Sequence, residues 1–517
     1  MRVRTRSSLQ DSAASESAQT NRPHPNPPPD YRRRGSIGGT PPRHGVIFIT
    51  ALGIIVILAG LVLAYAMSMR SESLASGNRL AYAQADAIEQ AAEAWTLAQI
   101  DSYPADSLTV TETPAEAIQV GTGYFWILHP DPTQWQTYSY GITDEAGKVN
   151  LNSAAPTSSL TGFQLANLPY LEDETDVADN IVAWAGEAPD ADGTPSNYYE
   201  SLQEPYDDRL GATLNPGIES IDELLMVENL TPQMLYGEDL NRNGVLETSE
   251  QNANGTVTLQ SGGDDPRGFF NYVTCYSKVP GTNPNAQTSV NINTLNNPNS
   301  LSALSTALTN AGVSNASQIV NNIQSALPRG NRAPTWDLGG FYSASGMTPA
   351  EFGLVFDELV TAKSRQIPPL SPLTVNTASA QAMACLPTLS QGDAANLADA
   401  QASGINTGNL SWFFNALQPA QIVNVAPYIT DRSYQFSADI VAVSGDGRSF
   451  KRVRIVIDGS GLAPNAATAT PAQIIYRKDL TSLGWPLDPA IRVAMRQGRP
   501  PPDAGSTSNN SGTGIVQ

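Results

Sequence analysis

The pattern of hydrophobic and polar positions changes once in the first hundred residues, at Arg70. Residues 45–69 carry no charged side chain, and Ile, Val, Leu and Ala fill most positions. A run of about 20 apolar residues is long enough to cross a bilayer as a helix. After Arg70, apolar residues recur at helical spacing with acidic residues between them, which is typical of a helix that packs on one face. The pattern predicts one helix over residues 46–100, with residues 46–69 in the membrane.

Two runs in the last hundred residues alternate between apolar and polar positions, on either side of the turn S-G-D-G-R-S. This arrangement is a strong hairpin signal. The positions expected to share a face are Tyr434, Phe436, Ala438 and Ile440 on the first strand, and Val453, Ile455 and Ile457 on the second. A second hairpin is expected around the turn 145–147, which lies between two β-rich runs.

A short phrase recurs in the helix-rich stretch between these strands. It is V-N-L-N-S-A at 149–154, V-N-I-N-T-L at 290–295 and T-V-N-T-A-S at 374–379. The second and third copies precede helical stretches at 301–327 and 380–402. Ordinary helix capping is one explanation of such a phrase. Three occurrences favour a specific inserted helical module.

These patterns predict an α+β fold with a long N-terminal transmembrane helix, an antiparallel sheet and a large inserted α-helical domain. The expected boundaries are a basic, disordered, cleaved leader over 1–45, the helix over 46–100, a first body segment over 101–155, the inserted domain with a metal loop over 156–410, a second body segment over 411–485, and a disordered tail over 486–517.

Charge is distributed unevenly around the apolar run. The whole chain has a net charge of -20 and a pI near 4.5, which argues against nucleic acid as a partner. Residues 1–45 nevertheless contain eight Arg and only three acidic residues. Positive charge before a transmembrane helix keeps that side in the cytoplasm. The acidic remainder is therefore expected on the outer side.

The start of the apolar run differs from an ordinary secretory signal, which has a shorter core followed by an Ala-x-Ala-like site. Here Gly45 directly precedes the run and no such site follows it. This resembles the class III leader of type IV pilins and pseudopilins, in which a membrane peptidase cuts after the glycine. The resemblance implies a mature chain that begins at Val46, with a methylated amine. Thr50 is then its fifth residue, where major pilins carry Glu, and its hydroxyl is expected to bond a carbonyl one turn back.

Several phrases together carry a resemblance to one family. They are D-E-A-G-K-V-N-L-N-S-A at 144–154, D-N-I-V-A-W, S-I-D-E-L-L-M-V, V-N-I-N-T-L, T-V-N-T-A-S and the C-terminal hairpin. In this order, over about residues 43–485, they resemble general secretion pathway protein K, the large minor pseudopilin of type II secretion systems. Two features depart from the family: the leader is longer, and the acidic residues after Trp184 are shifted to 187–192.

This resemblance implies a pilin-type body interrupted by a helical domain, at the tip of a short periplasmic pseudopilus. Family members also lack the fifth-position Glu, which Thr50 matches. The implied location is the bacterial inner membrane, with a single pass, a cytoplasmic N-terminus and a periplasmic C-terminal domain. The implied partners are other minor pseudopilins, the prepilin peptidase and the inner-membrane platform of the secretion system. Exported proteins stay open as partners, and nucleic acid is not expected.

The sharpest chemical signal is the phrase D-L-N-R-N-G-V-L-E-T-S-E at 239–250. Calcium takes six to eight oxygen ligands, and this spacing supplies them from alternate positions of a loop whose sixth residue is glycine. The candidate ligands are Asp239, Asn241 and Asn243 at positions 1, 3 and 5, the Val245 carbonyl at 7, Glu247 at 9 and Glu250 at 12. The helix that usually follows such a loop is missing from the pattern. We therefore expect one structural calcium loop.

Catalytic patterns are absent from the sequence. Only His129 lies outside the first 45 residues, and no H-E-x-x-H, G-x-S-x-G or C-x-x-C occurs. We expect a non-enzymatic assembly subunit; the alternatives are a minor pilin of a type IV pilus and a membrane-anchored periplasmic hydrolase. Cys275 and Cys385 are the only cysteines. An oxidising compartment permits a disulfide between them, and two buried free thiols are the alternative.

Overall fold

The structure is a computed structural model. Side chains are described from Ile47 onward. The described residues are 44–103, 107–131, 135–152, 164–172, 174–185, 218–247, 250, 266–278, 290–330, 332–360, 372–404, 409–462 and 470–502. The chain divides into two compact units, residues 1–72 and 73–517. The predictions for residues 1–43 and 503–517 lie outside the described residues.

The first element is helix α1 (His44–Ser102), which confirms the predicted helix and extends it by two residues at each end. Over residues 47–72 its apolar side chains are exposed, with Phe48 at 71% and Val62 at 67%. An 18-residue window of this helix has a mean hydropathy of 2.9, and none of that window is buried. The helix is therefore long and apolar enough for a single membrane span.

The remaining elements form one compact unit that contains a sheet and a helical region. The strands are β1 (Ile118–Val120), β2 (Gly123–Leu128), β3 (Thr143–Asp144), β4 (Val149–Asn150), β5 (Val273–Thr274), β6 (Val290–Asn291), β7 (Leu359–Val360), β8 (Leu373–Thr374), β9 (Ile429–Thr430), β10 (Gln435–Val443), β11 (Phe450–Asp458) and β12 (Gln473–Asp479). The helices after α1 are α2 (Ser107–Thr111), α3 (Thr175–Trp184), α4 (Pro232–Tyr236), α5 (Pro298–Asn310), α6 (Ala316–Ala326), α7 (Leu338–Ser345), α8 (Pro349–Val355), α9 (Ala380–Ala384), α10 (Gln391–Gly404), α11 (Ser411–Asn415), α12 (Pro419–Val425) and α13 (Pro489–Arg496).

The C-terminal part of α1 packs on an antiparallel sheet of order β1-β2-β10-β11-β12, in which β3 also pairs with β10. Small and branched side chains of the helix, such as Ile88, Ala92 and Ile100, are buried against the sheet. The predicted C-terminal hairpin is confirmed, because Phe436 pairs with Ile457 and Ile440 with Val453. The fold class is therefore α+β, with a pilin-like arrangement of helix and sheet.

The helical region lies between strands of this sheet in the chain, since β3 precedes it and β10 follows it. One continuous cluster of buried apolar side chains fills it, from Val149 to Ile429. Its helices are short, and several begin with a proline in the first turn, a position where the missing N–H has no helical partner.

Three pairs of two-residue parallel strands divide the helical region. β4 pairs with β5, β6 with β7, and β8 with β9. The first strand of each pair lies at the start of one copy of the recurring phrase, with β8 beginning one residue before it. We call the enclosed segments the first module (149–274), the second module (290–360) and the third module (373–430). The predicted hairpin at 145–147 is wrong: a 3-10 turn occupies Glu145–Gly147, and the strands on its two sides pair with β10 and β5.

Two expected boundaries differ from the structure. The inserted domain was expected to end at residue 410, but helices α11 and α12, which follow that residue, also belong to it. Their buried faces complete the apolar core of the third module. The expected disordered tail contains α13, in which Asp488 caps the N-terminus and Pro489 occupies the first turn. Ile491 and Met495 of α13 pack against the face of the sheet opposite α1. Burial of these two apolar side chains explains why α13 is folded, because it supplies the favourable free energy that a wholly polar segment would lack.

Candidate functional site

The predicted processing site lies at the start of α1. Gly45 and Val46 have helical backbone. The Thr50 hydroxyl donates to the carbonyl oxygen of Ile47 at 3.0 Å, which confirms the expected bond one turn back. Thr50 therefore brings a neutral side chain with a satisfied hydroxyl to the apolar part of the helix.

Ion pairs tie the C-terminal part of α1 to the sheet. Lys451 on β11 bonds Asp86, and Arg477 on β12 bonds Glu89 and Glu93 at 2.8 Å each. The Glu89 side chain is fully buried. Burial and the neighbouring Glu93 raise the pKa of Glu89. These contacts fix the helix on the sheet in one register.

The predicted calcium loop follows α4 and begins at the buried carboxylate of Asp239. Its Oδ1 accepts from the backbone N–H of Asn243 at 3.1 Å, and its Oδ2 from that of Gly244 at 2.8 Å. The Asn241 and Asn243 side-chain oxygens accept from the N–H groups of Asn243 and Val245, at 2.9 and 2.8 Å. Gly244 has φ of 84°, which glycine adopts at no steric cost. Hydrogen bonds thus hold positions 1, 3 and 5 within one bend.

The two glutamates of the loop join the same polar cluster. Glu250 accepts from the backbone N–H of Asn241 and of Glu247, both at 3.2 Å. The Glu247 carboxylate accepts from the amide nitrogens of Asn241 at 3.2 Å and of Asn243 at 3.0 Å, and from the Tyr138 hydroxyl at 2.8 Å. A cation bound through Glu247 would have to replace the two amide nitrogens on that carboxylate.

Basic and backbone groups of the sheet region anchor the loop from outside. The fully buried Arg452 on β11 donates to the carbonyl oxygens of Asn241 at 2.5 Å and of Arg242 at 2.6 Å. Asn243 donates to the carbonyl of Pro486 at 3.0 Å, and the N–H of Leu246 donates to that of Trp135 at 2.9 Å. The loop is therefore held against the sheet region on several sides.

Two carboxyl groups of this loop have raised pKa values. Burial raises the pKa of Asp239 to about 6, although hydrogen bonds and nearby arginines act against it. Burial, and then the charge of Asp239, raise the pKa of Glu250 to about 7. Crowded carboxylates of this kind prefer either a proton or a bound cation.

The chemistry of the donor set fits a hard cation of the calcium class. Among the described residues, no group of three or more His, Cys, Asp or Glu side chains is placed to hold a metal ion. A calcium site in this loop therefore depends on the oxygens of Asn241 and Asn243 and on the Val245 carbonyl as well as on carboxylates. Such mixed oxygen sets are the ones that calcium accepts. All six predicted ligand residues belong to the one loop.

Cys275 and Cys385 are both free and buried. The sequence left open a disulfide or two buried free thiols, and the structure has two buried free thiols. Burial raises the pKa of Cys275 to about 12 and that of Cys385 above its ordinary range. Neither thiol is activated as a nucleophile, because reactive cysteines have a lowered pKa. His129 is likewise structural: its Nδ1 lies 2.9 Å from the Thr143 hydroxyl, and burial lowers its pKa to about 4.

Sequence reasoning missed the adjacent buried carboxylates Asp144 and Glu145. Asp144 accepts from the hydroxyls of Ser433 and of Thr377, the latter at 2.6 Å. Glu145 bonds Lys148 at 2.6 Å and accepts from Ser437 and Thr274. The pair therefore connects the sheet to the end of the first module and to the third module. Its only sequence signal was the phrase D-E-A-G, which was interpreted as a hairpin turn and as part of the family resemblance, with no role for the two carboxylates.

Comparisons of this chain with models of known protein families, with curated proteins and with solved structures find no match. The helix and sheet are pilin-like in architecture, and any more specific function depends on the residues themselves.

Proposed function

We propose that this chain is a minor pseudopilin of a type II secretion system that caps the tip of the periplasmic pseudopilus and helps to initiate its assembly for protein export. The supporting observation is one combination of features. An exposed apolar half of α1 continues into a half packed on an antiparallel sheet, and a helical region interrupts that sheet in the chain. In this proposal the chain is a non-enzymatic assembly subunit.

The tip position is supported by the bulk of the helical region and by Thr50. In resembling filaments, a fifth-position Glu meets the N-terminal amine of a neighbour nearer the tip. A carboxylate at that depth without a partner costs a few kcal/mol. A subunit with no neighbour above it has no amine to meet, so a neutral residue is favoured. The modules of residues 149–430 would obstruct another subunit stacked above.

The proposal includes maturation and partners. The prepilin peptidase cuts between Gly45 and Val46, and the new amine is methylated. The mature chain is a single-pass protein of the inner membrane with its folded part in the periplasm. There it assembles with other minor pseudopilins above the inner-membrane platform, and exported proteins remain candidate partners.

Calcium is the proposed structural ion of the loop. Asp239, Asn241, Asn243, the Val245 carbonyl, Glu247 and Glu250 are the proposed ligands. A bound divalent cation would offset the charge of carboxylates that burial disfavours. It would thereby stabilise the contacts that the loop makes with the sheet region.

Processing is tested by intact-mass analysis of protein extracted from membranes. We expect a mature chain that lacks residues 1–45 and carries one added methyl group. Gly45→Val should block the cut, and a control substitution in the leader, Arg22→Ala, should leave it unchanged. A mature wild-type chain that still begins at Met1 would contradict the proposal.

Tip placement is tested by imaging assembled filaments with a gold label attached after residue 517. We expect one label per filament, at the end away from the membrane. A label on a shaft pseudopilin is the matched control and should appear at regular intervals. Regular spacing of the label on this chain along the shaft would refute the tip position. Co-purification with minor pseudopilins, as opposed to type IV pilins, distinguishes the proposed system from its alternative.

A further inference from the structure

The three modules end in the same way. A 3-10 turn directly precedes the closing strand in each, at Phe270–Tyr272, Phe356–Glu358 and Ala426–Tyr428. A short helix with proline in its first turn precedes that 3-10 turn in each, as α4, α8 and α12. The residue before the proline is Thr231, Thr348 or Gln418, and each is the N-cap. This order of elements is shared by all three.

Backbone conformation marks equivalent positions as well. Each module has a residue in the left-handed region directly before a buried apolar residue; the pairs are Tyr170 and Leu171, Gly312 and Val313, and Thr388 and Leu389. A second left-handed residue lies two positions before the N-cap in the first and second modules, Asn229 with φ of 61° and Gly346 with φ of 66°. Left-handed conformations are uncommon outside glycine. Their recurrence at matching places indicates one shared backbone plan.

The closing segment of the first module is much longer than the other two. From the helix proline to the end of the closing strand, the second module uses the 12 residues 349–360 and the third the 12 residues 419–430. The first module uses the 43 residues 232–274. The excess is 31 residues, and it lies between α4 and the 3-10 turn.

Hydrogen bonding shows where the extra residues enter. The N–H of Phe269 donates to the carbonyl of Met234 at 3.2 Å. If residues 237–268 were a single residue, Phe269 would be the fourth residue after Met234, which is the spacing of an α-helical hydrogen bond. Val355 has that relation to Glu351 in α8. Phe269 and Val355 are both fully buried. A hydrogen bond with helical spacing thus bridges the extra residues, and the 3-10 turn Phe270–Tyr272 follows it directly.

The two ends of the extra segment meet at a pair of glycines. A Cβ atom on Gly237 would lie 2.4 Å from the nitrogen of Gly268, and one on Gly268 would lie 2.6 Å from the nitrogen of Gly237. Both residues have positive φ, at 60° and 68°. The N–H of Glu238 also donates to the carbonyl of Pro266 at 2.8 Å. Only glycine at both positions permits the two ends of the extra segment to approach this closely.

We propose that the helical region is three copies of one folding unit, and that residues 237–268 are an insertion in the last helix of the first copy. The insertion carries the candidate calcium loop and connects the first module to the sheet region through Arg452, Tyr138 and Pro486. We call this insertion, residues 237–268, the strap. Cation binding is then a property of the strap and is separate from the fold of the module. The identity of the cation rests on the calcium site proposed above. The inference that the three modules are copies of one folding unit does not depend on that site.

The first test is hydrogen exchange of the full chain in detergent micelles, with calcium or with EDTA. Calcium should slow exchange of the amides in residues 237–247. Exchange in residues 269–274 should change by less than about twofold, because those amides belong to the module and open with it. The chain with Asp239→Ala and Glu250→Ala is the matched control and should show no calcium effect. Equal calcium protection of 237–247 and 269–274 would overturn the separation of strap and module.

The second test replaces residues 237–268 by one alanine and does not depend on calcium. Amides of residues 269–274 and 290–430 should stay protected within about twofold of the unaltered chain. Loss of protection in 269–274 while 290–430 stay protected would overturn the insertion. If the shortened chain does not fold, the Phe269 amide of the unaltered chain decides. The Phe269 amide should exchange at about the same rate as the Leu235 amide of α4. Exchange at the faster rate of residues 237–247 would refute the proposal.

If calcium changes exchange nowhere, the calcium assignment fails. The insertion is then judged by the shortened chain and by the Phe269 amide alone.

Discussion

In the sheet, β10 and β11 pair over nine residues each, whereas the parallel strand pairs of the helical region are two residues long. The sheet combines long backbone ladders and an apolar cluster against α1 with a buried ion-pair cluster around Asp439. The helical region is ordered by the packing of short helices around one apolar cluster. The two regions should therefore be destabilised by different substitutions. Loss of a buried charge should destabilise the sheet, and added side-chain volume should destabilise the helical region.

The ion-pair cluster shows what the sheet depends on. Asp439 on β10 accepts from Arg452 at 2.8 and 2.7 Å and from Arg454 at 2.9 Å. Burial would raise the pKa of Asp439, but the two guanidinium groups outweigh it and hold the pKa below its usual range. Because Arg452 also anchors the strap, this cluster connects the sheet to the candidate calcium loop.

The helical region instead depends on close approach between helices. A Cβ atom on Gly339 of α7 would lie 1.8 Å from the carbonyl oxygen of Val423 in α12. The second and third modules therefore touch through backbone at this point. No side chain can be added there without moving a helix, since packed interiors have little free volume.

The largest expected effect is that of Asp439→Ala. It leaves the fully buried Arg452 without its carboxylate, and breaking a buried pair in this way costs about 3–5 kcal/mol of unfolding free energy. Urea unfolding of the full chain in detergent micelles measures the loss. The control is Arg448→Ala, which removes an exposed pair with Asp446 and should cost less than about 1 kcal/mol. A similar small loss for both variants would show that the sheet does not depend on the cluster.

Gly339→Ala tests the helical region. Overpacking against a backbone oxygen should cost about 3 kcal/mol, at the upper end for an added methyl group. Gly392→Ala is the matched control in α10, where the nearest atom would be 3.7 Å away, and it should stabilise the chain by up to about 1 kcal/mol. Hydrogen exchange should rise in residues 290–430 of the Gly339 variant while β10 and β11 stay protected. Equal loss of protection in the sheet would contradict the contrast between the regions.

Asp144 tests the junction between the two regions. Burial raises its pKa from 3.8 to about 6, against its hydrogen bonds from Ser433 and Thr377. The folded state therefore holds this proton more tightly than the unfolded state. The resulting stabilisation is fully present below about pH 4 and is lost by about pH 6, a change of about 2–3 kcal/mol.

The measurement is urea unfolding between pH 4 and 7 for the wild type and Asp144→Asn, which titrates no proton at this position. The difference between the two chains isolates Asp144, because Glu145, whose pKa the charge of Lys148 lowers against the effect of burial, is common to both. A difference that stays constant with pH would contradict the raised pKa.

The smallest expected effect is calcium removal. An open loop with three carboxylates and two amides should bind with a dissociation constant of about 10⁻⁴–10⁻³ M. About 10 mM calcium would then stabilise the chain by about 1–3 kcal/mol. Asp239→Ala with Glu250→Ala should abolish the thermal shift between calcium and EDTA, and Glu228→Ala, outside the loop, should preserve it. An unchanged shift in the double variant would place the site elsewhere.

Elements with a long local period could be predicted from the sequence. The apolar run predicted α1 to within two residues, because about 20 residues of one character determine a helix in hydrocarbon. Alternation at Phe436, Ala438 and Ile440 predicted the hairpin and which of its side chains share a face. The spacing at 239–250 predicted which residues share the loop, since a loop of 12 residues brings alternate side chains together by itself.

Elements whose partners are distant in the chain were decided only by the tertiary structure. Alternation assigns Asp439 and Arg452 to the face of the hairpin away from α1, where charged residues usually meet solvent. The strap covers that face and buries both. The two-residue strands, the hydrogen bond from Phe269 to Met234 and the eight-residue helix α13 likewise have no period long enough to detect. Their order comes from contacts with residues tens to hundreds of positions away, which local sequence does not specify.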